Sequence, residues 1–196
     1  MIFEFICYSL CGFFMKLSDE LVDEKNNLYL AVFTGVLCVI FSLLVCRISG
    51  DASCIFLSIL IATALASKVD SVNHILSAIL FVLLLIVIGF PSFSWYALVL
   101  CIIAAFIDEK GNDRSDEIES GGLSSDMGLL YKFFKYRYAL KVTVFVLSLL
   151  GLCKLLFGGF LSNFYFFSPL TIVYFYGFDL AYEFADLIFD RCYDFF

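Results

Sequence analysis

Four carboxylates stand within the eleven residues LSDELVDEKNN (17–27), where the apolar run MIFEFICYSLCGFFMK gives out. Lys16, Glu20, Asp23 and Asn27 recur at helical spacing and share one face, and Asp19 and Asp23 share another. Carboxylates one turn apart can hold a hard divalent ion, with water completing its shell. A solvated helix end neutralised by Lys16 and Lys25 is the plainer alternative.

A second acidic group follows the apolar stretch CIIAAFI: Asp108, Glu109, Asp113 and Asp116. Glu109 and Asp113 lie one turn apart if the helix continues, although Gly111 weakens it. The third group is a stripe in SPLTIVYFYGFDLAYEFADLIFDRCYDFF, where Asp179, Glu183, Asp186 and Asp190 fall on one face of an otherwise apolar helix. Ser168 and Pro169 read as its N-cap and first turn. A carboxylate one or two turns inside a membrane helix must face the bundle interior or a water-filled cavity. An amphipathic helix emerging into water would explain the same stripe.

These groups need elements to carry them. Of the 196 residues, 63% are hydrophobic and only 16% charged, with a mean hydropathy of +1.01. Soluble domains carry about a quarter charged residues. The expected fold is therefore all-α, a polytopic transmembrane bundle forming a single domain over 1–196. Apolar segments run over 2–17, 28–46, 52–67, 75–90, 92–107, 139–160 and 164–189. Several are near 16 residues, about 24 Å at 1.5 Å per residue, short of a hydrocarbon core of about 30 Å. Segments 75–90 and 92–107, split at Pro91, read as a tight hairpin, giving seven spans; one broken helix there would give six. The amino-terminal run lacks the basic residues and cleavage site of a signal peptide and reads as a span.

Basic residues concentrate at Lys110, Arg114, Lys132, Lys135, Arg137 and Lys141, which places that region in the cytoplasm. Counting spans from there gives an N-out, C-in chain in a cell membrane. All three acidic groups then fall on the inner side, and Arg47 and Lys154 on the outer. Residues 108–127 read as an acidic cytoplasmic loop. Residues 128–141, GLLYKFFKYRYALK, read as a basic interfacial segment on anionic headgroups. The net charge of −7 speaks against a nucleic-acid partner. Eight cysteines form no CxxC pair and read as small buried hydrophobes. His74, the single histidine, reads as a residue capping a span at the interface. Two short stretches, DEKNN (23–27) and DEKGN (108–112), hint at duplication.

The pattern resembles the UbiA-type intramembrane prenyltransferases, which carry an NDxxDxxxD motif at one helix end and a DxxxD motif four helices later. DELVDEKNN sets Asp19, Glu20, Asp23 and Asn27 on the first motif, and EKGND sets Glu109 and Asp113 on the second. The leading Asn is here Asp19, the first Asp is Glu20, the last Asp is Asn27, and Glu109 opens the second motif. The chain is also about two helices short. The resemblance implies Mg2+ held by Asp19, Glu20, Asp23, Glu109 and Asp113, with the diphosphate of an isoprenoid or other lipid as ligand. Lys25, Lys110 and Arg114 would contact its phosphate oxygens. Asp179, Glu183 and Asp186 would add an acidic stripe. Two other functions use the same acids: a cation transporter or channel that gathers ions at a vestibule, or a non-catalytic membrane subunit that docks a basic partner. Converging carboxylates favour the enzyme, a continuous polar path the channel, and outward-splayed carboxylates the subunit.

Overall fold

The computed structural model describes residues 1–89, 92–120, 128–159 and 163–193. The described residues form eight α-helices: α1 (Ile2–Asp23), α2 (Leu28–Cys46), α3 (Gly50–Leu65), α4 (Val72–Ile88), α5 (Trp95–Ser120), α6 (Leu129–Lys135), α7 (Tyr138–Phe157) and α8 (Thr171–Arg191). Two of them, α2 and α7, are long and apolar enough to cross a membrane; α3 and α4 are apolar but shorter.

The chain divides into two compact units. The first comprises residues 1–53, 69–92 and 173–196, and the second residues 54–68 and 93–172. In the first, α1 packs on α2 and α2 on α4. Leu17, Leu21, Ala31 and Phe189 form a core where α1, α2 and α8 meet. In the second, α5 packs against α6 and α7.

Inside and outside differ in a particular way. On α4, Ile79, Leu83, Ile86 and Val87 are exposed; on α7, Phe145, Leu149, Leu155 and Leu156 are. The buried faces mix apolar side chains such as Tyr8, Leu21, Leu85 and Phe189 with small and polar ones, among them Ser18, Thr34, Ser42, Ser58, Asn73 and Ser148. Three of these hydroxyls turn back onto their own helices: Thr34 Oγ1 donates to the Leu30 and Ala31 carbonyls at 3.0 Å, Ser42 Oγ to Val39 at 2.9 Å, and Ser58 Oγ to Ile55 at 2.7 Å. Such self-satisfied hydroxyls let helix backbones approach closely without orphaned polar atoms.

Two glycines take this approach to its limit. A Cβ at Gly12 of α1 would collide with the Phe178 carbonyl of α8, and one at Gly151 of α7 with the Phe167 carbonyl. In both places backbone occupies the volume a side chain would need.

Two segments differ from the sequence expectation. The stretch 108–127 is not a loop from its start: α5 runs unbroken through Ser120, carrying the acids on two further turns. Gly111 sits inside that helix because the Phe134 ring packs where its Cβ would be. Secondly, α8 begins at Thr171, not Pro169, and the Thr171 N–H bonds the Ser168 carbonyl at 2.9 Å. The turn expected at Pro91 lies outside the described residues.

Replacing Gly12 or Gly151 by alanine is expected to cost about 1–3 kcal/mol through overpacking, a fall in Tm on the order of 5 °C. Gly128→Ala, at an open position, leaves Tm within about 1 °C. Thermal unfolding of the purified protein in detergent checks all three.

Candidate functional site

In the first unit, the end of α1 carries the 17–27 acids. Lys16 reaches Glu20 on its own helix at 2.5 Å and Asp186 of α8 at 3.3 Å. Lys16 thus joins one of the 17–27 acids to one carboxylate of the α8 stripe. Burial pushes the Glu20 carboxyl upward, against the pull of the neighbouring Lys16 charge. Asp19 is engaged separately: His74 Nε2 lies 2.7 Å from its Oδ1. His74 therefore caps no helix end; it joins α4 to α1.

One position from this pair lies a contact with no acid in it. Asn73, fully buried, donates from Nδ2 to Ser18 Oγ at 2.9 Å, and Ser18 Oγ donates to the Ala31 carbonyl at 2.9 Å. This relay pins α4, α1 and α2 together beneath the charged end. Sequence reading passed over both residues. The signal was an amide placed one position before the single histidine, at the start of an apolar helix.

Lys25, expected to contact phosphate, lies over the Tyr193 ring at 3.3 Å from its centroid, and Tyr193 Oη donates to the Glu24 carbonyl at 3.4 Å. The remaining acids of this end, Asp23, Glu24, Glu183 and Asp190, are exposed, and Asp179 is half-buried.

In the second unit, α5 presents the other group. Lys68 lies between Glu109 Oε2 (3.0 Å) and Asp113 Oδ1 (2.7 Å), one turn apart on the helix that Gly111 does not break. Arg137 approaches the same Glu109 oxygen at 3.5 Å. Lys110 lies 3.7 Å from Asp113 and donates to the Ala66 carbonyl at 3.4 Å. Arg114 is exposed and 3.9 Å from Glu117.

Asp108 does something different from its neighbours. Its Oδ1 and Oδ2 accept the N–H groups of Ala139 and Leu140 at 2.8 and 2.7 Å. Those are orphan donors in the first turn of α7, whose own N-cap, Arg137, is left-handed with φ 51° and offers no side-chain cap. A carboxylate borrowed from α5 caps the helix and meets the positive end of its dipole. Burial raises the Asp108 carboxyl, and the two backbone donors pull it back.

The expected metal ligands are thus each held by a cation or imidazole of the chain itself, save Asp23, which is exposed. Asp19, Glu20 and Asp23 lie in the first unit, Glu109 and Asp113 in the second. Among the described residues, no group of three or more His, Cys, Asp or Glu side chains is placed to hold a metal ion. The chain matches no protein-family model, no curated protein and no solved structure.

Two outcomes test this geometry. Removing the cap with Asp108→Ala is expected to cost about 1–2 kcal/mol, read as a lower Tm. The pH dependence has a definite sign. Because the folded pKa of Asp108 is raised, the stability this group contributes is largest below its unfolded pKa, near 3.9, and is lost as pH rises through the folded value. Wild type should therefore gain on Asp108→Asn as pH falls from neutral toward 4, measured as the difference between the two unfolding temperatures. Separately, Lys68→Ala leaves Glu109 facing Arg137 alone and should lower Tm, while Lys68→Arg should retain most of it.

Proposed function

We propose that this chain is a multi-pass integral membrane protein of about seven spans, N-out and C-in, acting as a non-catalytic subunit that docks a basic partner through acids on its inner side. The observation that carries this reading is the division of labour among the carboxylates. Glu20, Asp186, Glu109 and Asp113 pair with Lys16 or Lys68, and Asp108 caps a helix. Asp23, Glu24, Glu183 and Asp190 remain exposed in the first unit, around an end tied together by Lys16 and Tyr193.

Carboxylates splayed into solvent at one end of a rigid bundle raise the local concentration of cations and steer basic ligands. They do not enclose a reaction centre. The membrane placement is supported by the two crossing-competent helices and by the exposed apolar side chains of α4 and α7.

Zero-length carbodiimide cross-linking in native membranes tests the docking. Asp23, Glu24, Glu183 and Asp190 should join to lysines of a second chain. Their replacement by Asn or Gln should remove those links and leave Tm within a few degrees. The reading is overturned if purified protein binds a polyprenyl diphosphate in a Mg2+-dependent way that Asp23→Ala and Asp113→Ala abolish. Cation flux through reconstituted protein would overturn it in favour of a channel.

A further inference from the structure

The elbow between α6 and α7 lies outside that docking surface. Residues 128–141 contain four basic residues, Lys132, Lys135, Arg137 and Lys141, and no acid. They lead directly into α7, one of the two helices able to cross a membrane.

The structure divides this segment into parts turned inward and parts turned outward. Arg137 pairs with Glu109, and Lys141 Nζ donates to the Tyr136 carbonyl at 2.8 Å. Phe134 packs into the gap at Gly111. The left-handed Arg137 ends α6 and turns the chain into α7, where Asp108 fixes the first turn. Phe134 and the Arg137–Glu109 pair hold α6 and its elbow on α5, Asp108 holds the start of α7 there, and Lys141 braces the elbow. What α6 leaves outward is mixed: Leu129 is 87% and Leu130 69% exposed, Lys132 is exposed, Lys135 is half-buried with its Nζ 5.6 Å from the Tyr131 ring centroid, and the Tyr136 ring follows at the elbow.

Two exposed leucines beside a lysine suit neither water nor a hydrocarbon interior. They suit the boundary, where apolar side chains enter the acyl region and ammonium groups meet phosphates. The position agrees with the chemistry, since a segment that turns straight into a spanning helix must start at that boundary. We propose that α6 is an anchored interfacial helix whose outer face binds the headgroups of anionic lipids, with Lys132 and Lys135 supplying the charge and Leu129 and Leu130 the insertion. Each lysine near such a surface adds about 1 kcal/mol, roughly a fivefold gain in local lipid occupancy.

The test uses the full chain in nanodiscs, one set of phosphatidylcholine alone and one with 30% phosphatidylserine, a stated probe composition. Hydrogen exchange is measured over residues 129–135. Exchange at least about fivefold slower in the anionic discs is the expected result. Raising salt to 0.5 M should shrink the difference, because headgroup attraction is screened. The double variant Lys132→Gln, Lys135→Gln should abolish it while exchange in α5 and α7 stays unchanged, which shows the variant folded. Equal exchange in the two discs at low salt overturns the proposal. So does a difference that persists in the double variant. Protection seen in native membranes but in neither disc would assign the face to a protein partner and overturn it as well.

Discussion

A charged group on an apolar helix must find a counter-charge or a donor before it leaves water, and the arrangement of this protein follows from that requirement. Desolvating a carboxylate costs several kcal/mol unless hydrogen bonds or an opposite charge offset it. Each unit meets the requirement with one lysine placed between two carboxylates, Lys16 between Glu20 and Asp186, and Lys68 between Glu109 and Asp113. The lysines determine which helices can neighbour one another at the charged end. Lys16 ties α1 to α8; Lys68 ties the segment after α3 to α5. The capping carboxylate of Asp108 extends the same logic from charge to dipole. It satisfies two backbone donors of α7 that Arg137, with its left-handed backbone, cannot cover.

Beneath these ends the packing is that of helices with little hydrophobic drive between them. Their outward faces are as apolar as their inward ones, so burial of Leu or Ile distinguishes one neighbour poorly. Specificity falls to shape and to a few polar contacts. Gly12 and Gly151 admit a carbonyl from another segment, and Asn73 spans to Ser18. The Cys11 and Cys38 sulfurs, 3.5 Å apart, belong to the same pattern of small residues at the α1–α2 contact.

Much of the skeleton was legible in the sequence. Apolar runs bounded by charge gave α2 its limits, Leu28–Cys46, without adjustment, because Asn27 and Arg47 punctuate it. The end of α5 was misread because Gly111, Asn112 and Asp113 carry turn propensity, and a ring packed from α6 overrides it. The acidic groups were read as ligands of a shared divalent ion, whereas Glu20 and Asp186 meet at the Lys16 ammonium. Lys16 and Lys68 lie 4 and 41 residues from the acids they first contact. The first spacing reads as a helix pair; the second has no local signature. The partners in the Asn73–Ser18–Ala31 relay and in the trans-cap of Asp108 have no local signature for the same reason: each contact joins positions more than 12 residues apart.

The contact of Gly12 with the Phe178 carbonyl bears on the order of biogenesis. It joins segments separated by more than 160 residues, and the first unit takes residues from both ends of the chain. Helices α1 and α2 therefore keep the flank that α8 covers open until the last helix is synthesised. Loop closure over so long an interval is slow. During that interval the half-built unit exposes the groove at Gly12, and the arrival of α8 closes it.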